Sequence, residues 1–267
     1  MIYELIQNGT GYALAGAFAG LMSGILGIGG GMVVVPALAF MFQRNANIPP
    51  EVVMHMAAGT SLAIMIFTAQ ATVYSRGKKE AILWPIYRSL APGIILGTVL
   101  GVATAHCLPT TVLALIFALF LFAVAIKMAL DVHATHPHKF PPPWLNRLIS
   151  GLIGFKSGLL GVGGGVLIIP YLTYCGVKTR KIATISALCT LTVALIGTVS
   201  VMISGYDTPS LPSFAVGYVY WPAVLWVAIP SVLFAPAGAS IAYKLPVRHL
   251  KYAFVAILFI TAMDMLL

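Results

Sequence analysis

Apolar residues in this chain run on for whole segments, with neither the alternation of a half-buried strand nor the narrow stripe of a surface helix. The continuous runs are roughly 9–42, 52–74, 89–106, 110–130, 145–175, 182–204, 215–243 and 247–267, and their lengths predict helices. Most suit a hydrocarbon core about 30 Å thick, which takes about 20 helical residues. The first and fifth exceed it, since some 30 residues at about 1.5 Å each reach about 45 Å.

Those two long runs contain the same text. Gly20 to Leu38 is GLMSGILGIGGGMVVVPAL and Gly154 to Leu172 is GFKSGLLGVGGGVLIIPYL, ten identities in nineteen positions at an offset of 134 in a chain of 267. The likeness continues in Trp84-Pro85 and Trp221-Pro222, Pro92 and Pro230, and Leu108-Pro109 and Leu245-Pro246, so a duplication covers most of each half. Between the halves, DVHATHPHKFPPPWLNR is the only long polar stretch with a proline run. The expected organisation is a first repeat at 1–130, a cytoplasmic linker at 131–147 and a second repeat at 148–267. His133, His136 and His138 in that linker lack Cys or carboxylate at ligand spacing, so no metal site is expected, and nothing points to a cofactor.

Composition fixes the solvent: 60% of residues are hydrophobic and 8% charged, as in a polytopic membrane protein. The net charge of +9 sits in short clusters between apolar runs, where it reports topology and not nucleic-acid binding. If both long runs cross the membrane, seven basic residues fall on each side. If both turn back at their glycines, Arg76, Lys78, Lys79, Arg88, Lys127, Lys139, Arg147, Lys178, Arg180, Lys181, Lys244, Arg248 and Lys251 share one face and Arg44 is left on the other, with Glu4, Glu51, Asp207 and Asp264. Thirteen against one is the positive-inside pattern. The sequence therefore predicts an all-α polytopic membrane protein of two inverted repeats. Each repeat has one glycine-broken re-entrant or hairpin segment and three transmembrane helices, and both termini lie outside. The start MIYELIQNGT has no basic region, so no cleaved signal peptide is expected; Cys107, Cys175 and Cys189 form no framework and are read as ordinary thiols.

The candidate chemistry begins at Gly27, Gly29, Gly30 and Gly31 and at Gly161, Gly163, Gly164 and Gly165. Consecutive glycines let N–H groups converge on an anion, and the helix that resumes adds the positive end of its dipole. That helix starts either at the glycines or at Pro36 and Pro170. Glycines also serve close helix packing, the role expected of Gly16, Gly20 and Gly24, but three in succession weaken a helix. A dinucleotide fingerprint fails, with its third glycine misplaced and no βαβ context.

Lys156 lies eleven residues after Leu145, hence about 16 Å into the bilayer, where a cation is costly; it either faces a cavity or snorkels. Ser23 and Ser157 occur in both halves and can donate to an oxyanion or back-bond to their own helix. The following helices carry Thr60, Ser61, Thr68, Gln70 and Thr72, and Ser186, Thr190 and Thr192. Hydroxyls without carboxylates suit an anion path better than a cation path. His55 is expected near the outer interface, where it could couple protons.

GILGIGGGMVVVPAL and GLLGVGGGVLIIPYL, with GTSL at Gly59 to Leu62, resemble the TauE/SafE family of sulfite exporters and related anion transporters over nearly the whole chain. The resemblance implies transport of small sulfur-containing anions such as sulfite, thiosulfate or an organosulfonate such as sulfoacetate. The second half reads ISALCT at Ile185 to Thr190 where GTSL would stand, and Lys156 occupies what is usually an uncharged position. The expected protein is a secondary transporter in a plasma membrane, the bacterial inner membrane, with alternating access around the two breaks and a proton or sodium ion as coupling ion. No catalytic residues are assigned. Substrate contacts are expected from Gly29, Gly30, Gly31, Gly163, Gly164, Gly165, Lys156, Ser23, Ser157, Thr60, Ser61, Gln70, Ser186 and Thr190. A passive anion channel or a non-transport membrane assembly protein are the alternatives; no carboxylate pair or metal set supports an enzyme.

Overall fold

The structure, a computed structural model, describes residues 2–26, 30–45, 47–77, 83–130, 140–177, 179–209, 211–244 and 247–265. The described fold is all-α apart from one small ribbon. Its helices are α1 (Ile2–Leu26), α2 (Gly31–Gln43), α3 (Val53–Gly77), α4 (Trp84–Cys107), α5 (Thr110–Ala129), α6 (Pro143–Leu160), α7 (Gly165–Tyr174), α8 (Thr179–Ser204), α9 (Trp221–Lys244) and α10 (Val247–Asp264). Strands β1 (Ala215–Val216) and β2 (Val219–Tyr220) pair antiparallel just before α9. Five helical spans, Pro50–Ser75, Trp84–Cys107, Thr110–Ala129, Lys181–Ser204 and Trp221–Gly238, are long and apolar enough to cross a membrane. The linker expected at 131–147 ends early: α6 begins at Pro143, whose fixed φ and missing N–H suit the first helical position. Its histidines lie outside the described residues.

Glycines set the closest helix pairs. A Cβ on Gly93 would strike Ser150 and Arg147, one on Gly97 would strike Gly151, and one on Gly101 would strike Phe155. These stations advance together, so α4 and α6 run parallel with backbones in contact. The other half repeats the arrangement: Gly16 abuts Val227 and Gly20 abuts Ser231, so α1 runs parallel to α9, and the Ser231 hydroxyl donates to Gly16 O at 2.8 Å. Lipid provides no hydrophobic drive for such pairing, and small residues supply dispersion contact instead. Each half thus gives its first helix to the other half's fourth.

The remaining directions follow from cross-contacts. On α8, Thr192 bonds Tyr87 of α4 at 2.8 Å, and Gly197 lies beside Thr98 of α4. Helix α8 therefore runs parallel to α4 and starts at the same end as α6. The chain returns to that end through α7, whose Tyr171 hydroxyl donates to Asn146 at the start of α6. In the first half, Met41 lies against Gly11, and the Phe42 ring meets Tyr12 at 6.3 Å, so α2 folds back along α1. Arg88, Lys127, Arg147 and Lys181 consequently share one end of the bundle, while Arg44, Glu51 and Asp207 share the other. We call these the Arg147 end and the Glu51 end. Helix α3 is central, with 78% of its span buried against 28% for α5 at the periphery.

Candidate functional site at two facing glycine breaks

Both broken runs resume as helix at the third glycine of the run and not at the proline. Helix α2 starts at Gly31 and α7 at Gly165, with Pro36 and Pro170 inside them. A proline there leaves one carbonyl a turn earlier without its amide, an interruption that membrane helices tolerate when buried. The N-cap residues Gly30 and Gly164 offer no side chain to the first turn; their carbonyls take the N–H groups of Val33 and Leu167, at 3.0 and 3.1 Å, and those of Gly31, Met32, Gly165 and Val166 have no acceptor within their own helix. Each start is thus an uncapped positive dipole end.

The two breaks touch. A Cβ on Gly31 would lie 3.1 Å from Val162 Cα, 3.2 Å from Gly161 O and 3.2 Å from Gly163 N. Gly161 ends α6 in the left-handed region, at φ 65°, which a residue with a Cβ adopts only at a cost. Its carbonyl accepts a hydrogen bond from Ser61 of α3 at 3.0 Å. Around Gly163 stand Thr190 of α8 and Met65 of α3, and Gly164 lies near Ser157 Oγ and Val193. Ser61, Ser157, Ser186 and Thr190 are all buried.

The structure therefore gathers Gly30, Gly31, Gly163, Gly164, Gly165, Ser61, Ser157 and Thr190, with Ser186 one turn before Thr190 on α8. Gly29 lies outside the described residues. Thr60 is buried but already accepts a hydrogen bond from the Tyr220 N–H at 3.1 Å, and Ser23 is half-buried. Thr68 and Thr72 donate to carbonyls of their own helix, and Thr192 pairs with Tyr87. Lys156 and Gln70 are exposed and do not join the cluster. For Lys156 the reason is rotation: each residue turns about 100° around the helix, so its neighbour Ser157 faces inward while Lys156 faces out. Counting residues along a helix does not report the face.

Sequence reasoning missed Met65, an apolar wall, and Asn146, a buried amide that hydrogen-bonds Ser89 of α4 at 2.9 Å and accepts from Tyr171. An amide inside an apolar run was the signal for it. It also missed Tyr218 and Tyr220, which the ribbon carries into the bundle. Two hydroxyls of α8, on Thr184 and Thr198, are buried with no partner. Among the described residues, no three His, Cys, Asp or Glu side chains converge as a metal site would require.

The sequence profile of the sulfite exporter TauE/SafE family matches residues 12–265. The chain belongs to that family. TauE/SafE relatives include a probable membrane transporter protein of Haemophilus influenzae, 34% identical over 95% of this chain and 96% of that protein. A probable membrane transporter protein of Methanocaldococcus jannaschii is 30% identical over 95% of this chain and 94% of its own length. One from Bacillus subtilis is 24% identical over 72% and 77%. No solved structure matches this TauE/SafE chain. It is a multi-pass membrane protein of a transporter family.

Proposed function

We propose that this protein is a secondary transporter of small sulfur-containing anions, such as sulfite, thiosulfate or an organosulfonate like sulfoacetate, and that the anion binds where the two glycine breaks meet. The observation that carries this reading is the contact of Gly31 with Val162 and Gly163, which brings two uncapped helix starts and the hydroxyls of Ser157 and Thr190 to one place. Two positive dipole ends and buried hydroxyl donors, with no carboxylate among them, favour an anion. In this reading Gly29, Gly30, Gly31, Gly163, Gly164 and Gly165 present N–H groups, and Ser61, Ser157, Ser186 and Thr190 complete the shell as the halves move.

The two halves act as inverted repeats, each with a re-entrant hairpin, and expose the site alternately at the Arg147 and Glu51 ends. The return of α2 along α1 and of α7 along α6 supports this reading. So does the grouping of Arg88, Lys127, Arg147 and Lys181, which makes the Arg147 end cytoplasmic and puts both termini outside. Cys107, exposed at the Glu51 end, is a natural reporter. A membrane-impermeant maleimide added to intact cells should label it; protection until lysis would reverse the orientation.

The deciding experiment is reconstitution into liposomes with radiolabelled sulfite, thiosulfate, sulfoacetate, sulfate and chloride presented in turn. Saturable flux of at least one sulfur oxyanion, competed by its unlabelled form, is expected. No flux of any of them overturns the reading.

A further inference from the structure

At the Glu51 end, outside the glycine site, a small, partly open pocket with about 10 Å³ of room, about enough for one water, is lined by His55, Ala58, His106, Gly158, Val201 and Tyr218. Ala58 and Gly158 carry it towards the second break, because a Cβ on Gly161 would strike Ala58. His55 is 8% exposed and its ring lies under that of Tyr218, with centroids 5.1 Å apart. Nε2 of His55 faces two carbonyl oxygens, Ala105 at 3.0 Å and Leu108 at 3.1 Å, so that nitrogen carries a hydrogen. Nδ1 lies 3.3 Å from the Thr110 hydroxyl, and that hydroxyl also reaches the Glu51 carbonyl.

This set of partners has a consequence for the proton count. A hydroxyl has one hydrogen. If Thr110 gives it to the Glu51 carbonyl, only its lone pairs remain for His55, and a hydrogen on Nδ1 completes every bond in the chain. If His55 is neutral, Thr110 must turn its hydrogen to Nδ1 and release the Glu51 carbonyl. The site can therefore gain or lose one proton by rotating one hydroxyl, with each form of the ring bonded at both nitrogens.

We propose that His55 is a proton-binding site, covered by Tyr218 of the ribbon, through which anion movement is coupled to protons from the Glu51 end. The inference rests on the transporter reading above. The proton adds to the Nδ1 lone pair when the ribbon parts and leaves from the same atom once the bundle has switched ends, so one proton accompanies each cycle. The ribbon is suited to cover the site. Tyr218 receives a hydrogen bond from Thr208 at 3.1 Å and lies 2.9 Å from His106 Nδ1, while the next ring, Tyr220, packs on Phe42 of α2 and its N–H bonds Thr60. Parting the ribbon thus exposes His55 and frees Thr60 together. The titratable groups facing His55 are His106 from α4 and Tyr218 from the ribbon. Helix α5 offers Thr110 and Leu113, α6 offers Gly158 and Leu159, and α8 offers Val201. The Glu51 side chain, one turn earlier, is exposed.

The test uses the full chain in liposomes loaded with a pH-reporting dye, with thiosulfate as the probe because, as the anion of a strong acid, it carries no proton itself. Sulfoacetate replaces it if thiosulfate is not carried. In wild type, uptake should change the dye signal, and an imposed pH gradient should accumulate the anion about tenfold for each unit. His55→Gln should keep exchange at equal concentrations within about threefold and lose accumulation. Thr110→Val, which removes the acceptor for Nδ1–H, should move the midpoint of the pH–rate profile about half a unit lower, a change that a purely structural role would not produce. Anion flux with no proton movement, or gradient-driven accumulation by His55→Gln at the wild-type level, overturns the proton site and leaves the transporter reading standing. If His55→Gln does not fold, an unmoved profile in Thr110→Val overturns it. No flux of any anion overturns both.

Discussion

In the α6–α7 hairpin the returning arm is tied by directional bonds: Tyr171 donates to Asn146, and Asn146 donates to Ser89 on α4 at 2.9 Å. In the α1–α2 hairpin the same return is held by rings, Tyr12 to Phe42 at 6.3 Å and Phe42 to Tyr220 at 5.9 Å. The backbone plan is shared, down to a helix start at the third glycine and a proline five residues later. The fastenings are not. The α6–α7 hairpin is locked to a helix at the Arg147 end and the α1–α2 hairpin rests on the ribbon at the Glu51 end, so parting the ribbon loosens only α1–α2. A few side chains, and not the backbone plan, make the two hairpins unequal.

The largest effects should come from the parallel seams, where the halves are equivalent. Gly97→Leu and Gly20→Leu each drive a side chain into a facing backbone carbonyl, and neither helix can withdraw without losing its other glycine contacts. Both variants should fail to give monodisperse protein in size-exclusion chromatography. Gly151→Ala is the control: its nearest neighbour is 3.7 Å away, and its stability should stay within about 0.5 kcal/mol. A folded Gly20→Leu beside an unfolded Gly97→Leu would break the equivalence of the seams.

At the breaks, the comparison sharpens. A methyl on Gly31 meets backbone, and one on Gly163 meets Thr190 Cγ2 at 2.9 Å and Met65 Sδ at 3.1 Å, side chains that can shift. Gly31→Ala should therefore cost both stability and anion flux. Gly163→Ala should leave a folded protein whose flux falls by about tenfold or more, equivalent to about 1.4 kcal/mol. Equal flux in Gly163→Ala and wild type would argue against an anion at the break.

The apolar runs at 52–74, 110–130 and 182–204 anticipate α3, α5 and α8 closely, because run length alone decides a membrane helix. The glycine text marked where α6 ends and where α2 and α7 begin. The run at 215–243 hid the ribbon: Ala215 to Tyr220 is as apolar as the helix it precedes, and two short strands have no period long enough to see. The exchange of α1 and α6 between halves was invisible because it is set by tertiary glycine contacts, which spacing within one helix does not specify. Lys156 was read for depth and not for rotation.

The fastenings come next in size. Asn146→Leu removes the acceptor of the Tyr171 hydroxyl and the tie to Ser89, for an expected loss of about 2 kcal/mol. Phe42→Leu keeps apolar volume but loses two edge-to-face ring contacts, for about 1 kcal/mol. Thermal unfolding in detergent measures both. The comparison predicts a further split: Phe42→Leu should raise maleimide access to a cysteine placed at Thr60, and Asn146→Leu should not. Equal access in the two variants would mean the hairpins are not fastened independently.

The smallest effect is expected at Lys156, where the two halves differ in charge, with Met22 at the corresponding position. The side chain is exposed, so its ammonium can reach the interface along its own stem while Ser157 next to it faces the break. Lys156→Met, which makes the halves alike here, should leave anion flux within about twofold of wild type, whereas Ser157→Ala should lower it several-fold. Parallel liposome assays of the two variants measure this directly. A large loss in Lys156→Met would return the lysine to the substrate path and imply that α6 rotates during transport by about the 100° that separates adjacent residues on a helix.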